Sequence, residues 1–417
     1  MTRTGRWRAL MVATAALGLT AILAAGSVRA AEPIRIGLGM ALTGGLAVNG
    51  KPALLAMQIW AEDVNAKGGL LGRKVEFVYY DDQSNPSNVP SIYTKLLDVD
   101  KVDLVVGGYA TNMTVPAMPI VMQRNLLFFS LFALAVNEEF HYPRYFSMVA
   151  FGPTPKVSVA KGFFDLAMEQ NPRPKTLALV GADAEFAKRA VDGAREIAKE
   201  DGFNIVYDRS YPPNTVDYTP IVRAIQATNP DMVFVGSYPP DSVGMVRAVG
   251  EVGLKTKLFG GAMIGLQATA IKTQLGPLLN NIVYQDYWVP VPTLKFPGIE
   301  AFLERYQARA PAADVDLLGY FIPPYSYARM QTLAQAIEAT GGLDQDKLAD
   351  WLHKNTAKTV VGDLSFTGDG EWSRDGVLYA QFQGVVGNGV DQFRRAETQV
   401  VLTPAAVRSG KAVWPYR

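Results

Sequence analysis

The chain has 417 residues and a formal net charge of +1, so it lacks the basic excess that a nucleic-acid surface requires. Hydrophobic residues at 49% and charged residues at 19% describe a folded globular chain, not a disordered one. There is no Cys, which excludes disulfides, thiolate metal sites and a lipid-modified cysteine terminus.

The first element is a leader. Arg3, Arg6 and Arg8 precede an uncharged run from Leu10 to Ala25, and Val28-Arg29-Ala30 places small residues where a signal peptidase cuts. That layout predicts a secretory signal peptide over residues 1–30, cleaved after Ala30, and a periplasmic mature chain. The 387 residues that remain of 417 exceed one ordinary core and predict two lobes.

Ile34 to Leu38 alternates as a strand and is followed by the turn Thr43-Gly44-Gly45. Leu54, Met57, Ala61 and Val64 repeat at helical spacing up to Lys67-Gly68-Gly69. Val75–Tyr79 reads as a strand, Val89–Leu97 as a helix, and Val102–Val106 as a strand closed by Gly107-Gly108. Strand followed by helix, repeated, means a parallel sheet covered on both faces. The alternation restarts beyond Pro153: strand Thr176–Gly181, helix Phe186–Glu200, strand Ile205–Tyr207, helix Ile221–Ala227, strand Met232–Gly236, helix Val243–Val252 and a strand ending at Lys257–Gly260. The last clear helix is Tyr325–Thr340, stopped by Gly341-Gly342. The fold class is therefore α/β, with two doubly wound parallel-sheet lobes and a ligand cleft between the carboxyl ends of their strands.

The run Leu55–Val78, continuing to Asp81-Asp82-Gln83-Ser84-Asn85-Pro86, resembles the first-lobe signature of the branched-chain amino-acid type of periplasmic binding protein. Gly107–Ala117, Asp183–Ala187, Gly236–Gly253 and Thr359–Trp372 fit the same family in order. The resemblance implies a type I binding-protein fold with three segments crossing between lobes, near Phe146–Pro153, Ile282–Pro290 and Thr359–Asp363. Lobe one would be residues 31–148 and 285–360, and lobe two residues 149–284 and 361–417. It further implies a monomer that closes by a hinge on one small molecule and delivers it to an ABC permease in the inner membrane, with no cofactor and no metal.

The resemblance also assigns pocket residues. The loop after the third strand offers Tyr109, Ala110, Thr111 and Asn112, where hydroxyl, amide and backbone N–H groups would hold a carboxylate. In the run Phe132-Ala133-Leu134, read as pocket wall, Leu134 replaces the Thr of amino-acid binders and Phe132 a small residue, and Asn49 stands where those carry an aromatic. In the second lobe Phe186 and Tyr238 take the two tyrosine places, while Met263 stands where an acidic group is expected. Asp241 is read as a helix cap, and Tyr320 joins Tyr284, Tyr287, Trp288 and Phe321 among aromatics where the lobes meet. A buried ammonium without a carboxylate is strongly disfavoured, so the expected ligand is an apolar or aromatic carboxylate. The alternatives are a branched-chain or other hydrophobic amino acid, or a ligand-sensing receptor subunit in place of an importer's receptor.

Nothing points to catalysis. His141 and His353 lack metal-ligand spacing or an acid partner and read as surface residues, and Gly37-Leu38-Gly39 is no nucleotide fingerprint. Asp81-Asp82 looks like a carboxylate pair, but adjacent strand-end side chains diverge, and it is expected to be a structural turn.

Overall fold

The computed structural model describes residues 31–416, so the expected signal peptide lies outside the described residues. Five strands, β1 (Ile34–Met40), β2 (Val75–Asp81), β3 (Leu104–Tyr109), β4 (Phe128–Leu131) and β5 (Tyr145–Phe146), form one sheet in the order β2-β1-β3-β4-β5. Every pairing in it is parallel. β1 is buried along almost its whole length, as a strand covered by helices on both faces must be.

A seven-stranded sheet holds β6 (Thr176–Ala182), β7 (Asn204–Tyr211), β8 (Met232–Ser237), β9 (Leu258–Met263) and β10 (Val283–Asp286). A two-stranded hairpin, β11 (Ala357–Thr359) with β12 (Gly362–Leu364), stands apart, and β13 (Leu378–Phe382) and β14 (Gln399–Thr403) complete the larger sheet. Its order is β14-β13-β10-β9-β8-β6-β7, parallel from β7 to β10 and antiparallel at β13 and β14. The second sheet is thus mixed, where a purely parallel one was expected. The return from Phe382 to Gln399 carries 3-10 turns and no crossover α-helix, and β13 and β14 pair antiparallel.

The amphipathic helix Glu185–Glu200 shows how local pattern builds this lobe. Phe186, Ala187, Ala190, Val191, Ala194, Ile197 and Ala198 share its buried face. At Gly193 a Cβ would meet the Lys156 carbonyl oxygen at 1.8 Å, so glycine lets the helix Pro155–Met168 pack in direct backbone contact.

After β10 the chain returns to the first sheet. The helix Ile322–Thr340 lies on the helix Ala47–Ala66, with the Ser326 hydroxyl donating to the Ala53 carbonyl at 2.9 Å. Arg329 of the same helix is fully buried and donates to the carbonyls of Gly107 (2.6 Å) and Phe129 (3.2 Å). The hairpin β11–β12 is tied to this helix through Lys358 N–H and the Gln335 side chain at 3.0 Å. The chain therefore leaves this side between Leu364 and Leu378, later than the passage expected at Thr359–Asp363. The passage 147–151 runs beside 370–376. Ser147 N–H donates to Gly370 O at 2.8 Å, Gly376 N–H donates to Ala150 O at 2.8 Å, and Phe151 bridges Asp375. Among the described residues no helix is long and apolar enough to cross a membrane.

Candidate functional site

Tyr109 ends β3, and Ala110, Phe132, Phe186, Tyr238, Ile264 and Tyr287 follow the carboxyl ends of β3, β4, β6, β8, β9 and β10. Together with Phe151, on the passage after β5, they line one cavity. It collects strand ends from both sheets, the position where parallel α/β sheets bind ligands. The walls stand close, and the space open to the centre of a water molecule is about 10 Å³, near one solvent molecule. Larger hollows, about 500 Å³ beside Arg195 and Asp208 and about 440 Å³ between Lys51 and Asp314, lie elsewhere and gather no such strand ends from both sheets.

Two polar links organise the walls. The Asn49 amide donates to the Tyr109 hydroxyl at 2.8 Å. The Tyr238 hydroxyl donates to Asn112 Oδ1 at 2.6 Å and accepts the Phe186 N–H at 3.0 Å, so one phenol ties the two sides of the cleft together. Burial pushes the Tyr109, Tyr238 and Tyr287 hydroxyls well above the usual phenol range. They remain neutral donors at any ordinary pH.

An aromatic cage surrounds Phe132. Its ring meets Tyr287 at 5.1 Å, Phe321 at 5.0 Å and Tyr325 at 5.3 Å between centroids, each edge to face. Phe132 itself holds φ of +53°, a left-handed conformation rare for a bulky residue and fixed here by the cage.

The remaining expected residues are distributed as follows. Thr111 is fully buried behind the wall, where its hydroxyl oxygen accepts the Leu134 N–H at 2.9 Å. Ala133 and Leu134 are core, with no exposed surface. Met263 ends β9 and points into the core, leaving the neighbouring Ile264 to line the cavity. Tyr320 packs on Trp288 at 5.0 Å and borders a separate surface groove with Pro290 and Leu303. Phe151, Ile264 and Tyr287 were not among the expected pocket residues. The clustering of Tyr287 with Tyr284 and Trp288, and the passage at Phe146–Pro153, were the available signals for two of them.

Asp241 accepts from the Tyr238 N–H (3.3 Å) and from the hydroxyls of Tyr218 (3.1 Å) and Tyr211 (3.4 Å), as a capping carboxylate does. Burial raises its pKa. Asp81 is likewise spent on a turn: it accepts N–H bonds from Leu42, Thr43 and Gln83 at 2.8–3.2 Å. His141 is exposed, as expected. His353 is not a free surface side chain. Its ring lies 4.7 Å from Phe146, and its nitrogens meet the Thr367 and Pro143 carbonyls at 3.2 and 2.8 Å. No cluster of His, Asp or Glu suited to a metal ion occurs among the described residues.

A family model described as "Periplasmic binding protein" matches residues 33–382 of this chain. The chain belongs to the periplasmic binding protein family. A Leu/Ile/Val-binding protein homolog of Brucella abortus is 25% identical over 379 residues, 87% of this chain and 92% of that one. An amino acid binding protein of Pseudomonas aeruginosa is 25% identical over 353 residues, 84% of this chain and 89% of that one. Among solved structures, an R. palustris solute-binding protein in complex with benzoate superposes with TM-score 0.75 at 16% identity, covering 91% of this chain and 99% of that one. The LivJ substrate-binding protein of Streptococcus pneumoniae, with isoleucine, gives 0.73 at 18%, covering 89% and 100%. At these identities the two structures speak to the fold of this binding protein.

Proposed function

We propose that this binding protein is the extracytoplasmic receptor of an ABC importer and captures an organic acid with an apolar or aromatic body. One observation carries the ligand class: none of the eight residues lining the inter-lobe cavity is charged, and most are aromatic. An α-amino acid brings an ammonium that needs a buried carboxylate. Met263 supplies none, and Asp241 is occupied by its cap and two tyrosines. The Tyr109 hydroxyl, accepting from Asn49, keeps its own proton for an acceptor. The N–H groups opening the helix at Thr111 and Asn112 lack intrahelical partners. These neutral donors suit a carboxylate. That one neighbour of like fold holds benzoate and another isoleucine brackets this reading and its rival, a hydrophobic amino acid.

The leader over residues 1–30 supports export, with the mature chain beginning at Ala31. The lack of any reactive constellation supports binding without chemistry, and the family supports a monomer working with a membrane permease. Calorimetric titration against matched pairs tests the ligand class: phenylpropionate beside phenylalanine, and isocaproate beside leucine. The acid is expected to bind tighter in each pair by roughly a hundredfold, from the desolvation of an unpaired ammonium. Tighter binding of both amino acids would overturn it.

A further inference from the structure

Of the residues lining the cavity, Tyr287 alone carries a buried polar atom without a hydrogen-bond partner among the described residues, and that atom is its hydroxyl. The hydroxyl cannot easily turn away to find one. The Tyr287 N–H donates to Asp286 Oδ1 at 2.8 Å, and its carbonyl accepts the Tyr325 hydroxyl at 3.3 Å, so the backbone is fixed on both sides. The ring is wedged against Phe132, Phe151, Phe321 and Tyr325, all between 5.1 and 5.8 Å.

A phenol oxygen in such a cage is costly. A buried donor left unpaired loses its water bonds and regains nothing, and native structures rarely leave such groups without a reason. The other two phenols of the cavity are engaged, Tyr109 with Asn49 and Tyr238 with Asn112. Tyr109 and Tyr287 both pack on the Phe132 ring, with centroids 6.3 and 5.1 Å from it. A ligand whose carboxylate sits by Tyr109 and the Thr111 turn would lay its body against Phe132, in the same cavity that Tyr287 lines.

We propose that Tyr287 is a specificity-determining residue whose hydroxyl pairs with an oxygen on the body of the ligand, so that the cognate ligand is a hydroxyl-bearing aromatic carboxylate. This rests on the ligand class proposed above and narrows it. A plain hydrocarbon ring leaves the phenol unpaired, whereas a ring hydroxyl can both accept from it and donate to it. A site built around a buried polar group rejects the analogue that lacks the partner much more sharply than an apolar pocket rejects one methyl.

The test is calorimetry of the mature protein and of Tyr287→Phe with benzoate, 4-methylbenzoate, 3-hydroxybenzoate and 4-hydroxybenzoate. Circular dichroism and melting temperature serve to verify the fold. The wild type is expected to bind one hydroxybenzoate about ten- to a hundredfold tighter than 4-methylbenzoate, the range set by one buried unpaired polar group. Tyr287→Phe is expected to bind the two within about twofold, with its affinity for 4-methylbenzoate held or improved. Tyr109→Phe should weaken every acid while keeping the preference. Equal wild-type affinities, or a preference that survives in Tyr287→Phe, overturn the assignment even though aryl acids bind. If no aryl acid binds and leucine does, the ligand class itself fails and this inference with it. Should Tyr287→Phe not fold, the wild-type series alone still decides, because equal affinities there refute the pairing.

Discussion

Glu371 sits in the passage that runs from the hairpin β11–β12 to β13, 4% exposed and with neither carboxylate oxygen partnered. The neighbouring Ser147 hydroxyl is directed at the Ala133 carbonyl, 3.4 Å away. Burial pushes the Glu371 carboxyl up to about 8, against a small opposing pull from the Ser147 side chain. A carboxyl whose folded pKa is raised contributes most below its unfolded value, and that contribution fades as pH climbs through about 8. Stability is therefore expected to fall between pH 4.5 and about 8, by about 1.4 kcal/mol per pH unit at most from this group. Urea midpoints of Glu371→Gln should lose that slope and exceed wild type at pH 8; an unchanged slope would refute the account. A second residue-scale expectation concerns Tyr238→Phe, which breaks the bond to Asn112 and strands the Phe186 N–H. Ligand affinity is expected to drop about tenfold, the worth of one such bond, and the melting temperature to fall as well, because the Phe186 N–H loses its acceptor. Identical titrations would show the bond to be incidental. At this scale the sequence was only partly readable. Tyr109, Ala110, Phe132, Phe186 and Tyr238 were placed on the cavity because each ends a strand or follows one. Met263 was mistaken for its neighbour Ile264: side chains alternate along a strand, so a slip of one residue exchanges core for cleft. Thr111 looked like a ligand group because a hydroxyl in a loop does not reveal that a backbone N–H, here that of Leu134, has claimed it.

The helix Ile322–Thr340 carries its one buried cation inward. Arg329 reaches past the helix Ala47–Ala66 to carbonyls of β3 and β4, and desolvation lowers its pKa to about 10, still far enough up to keep the charge. Arg329→Ala removes both bonds and opens a void, so a loss on the order of 3 kcal/mol is expected by denaturant titration. A loss under about 0.5 kcal/mol, the range of ordinary surface changes, would mean that the helix docks without it. On the other sheet, Gly260 of β9 holds φ of +148°, and a Cβ there would stand 1.6 Å from the Val283 carbonyl. Gly260→Ala should therefore disturb the β9–β10 pairing and lower the melting temperature by several degrees, as a change of about 1 kcal/mol or more does. Helices and parallel strands were legible as elements because their periodicity is local. The pairing of β13 and β14 and the hairpin β11–β12 were not: short strands in an irregular stretch carry little pattern, and their partners lie far away in sequence.

Across the whole molecule the two sides of the cleft are fastened at the rim by side chains from the second sheet's helices. Arg189 donates to the Ala135 carbonyl at 2.7 Å and to Glu139 at 2.9 Å, and Lys156 pairs with Glu138. Exposed pairs of this kind contribute little each, but Arg189 is only 11% exposed and also serves a backbone carbonyl. Arg189→Ala is expected to enlarge the radius of gyration seen by small-angle scattering without ligand, and Lys156→Ala to leave it nearly unchanged. Equal effects would assign the closure to charge alone. The two-lobed plan could be read from the restarting strand–helix alternation, whereas the Arg189 contacts join residues about 50 positions apart and leave no local trace.

Two of the cavity residues, Phe151 and Tyr287, belong to the passages on which the lobes would turn, Phe151 bridging Asp375 of the neighbouring passage. A body pressed against them acts close to the fulcrum and not at the jaws. Near a pivot a small change in thickness becomes a large change of gape at the rim, so a ligand one methyl too thick would still be gripped yet leave the jaws ajar. A permease that reads only the fully shut outline would then ignore cargo that the receptor holds tightly, and competition for uptake would rank ligands differently from competition for binding.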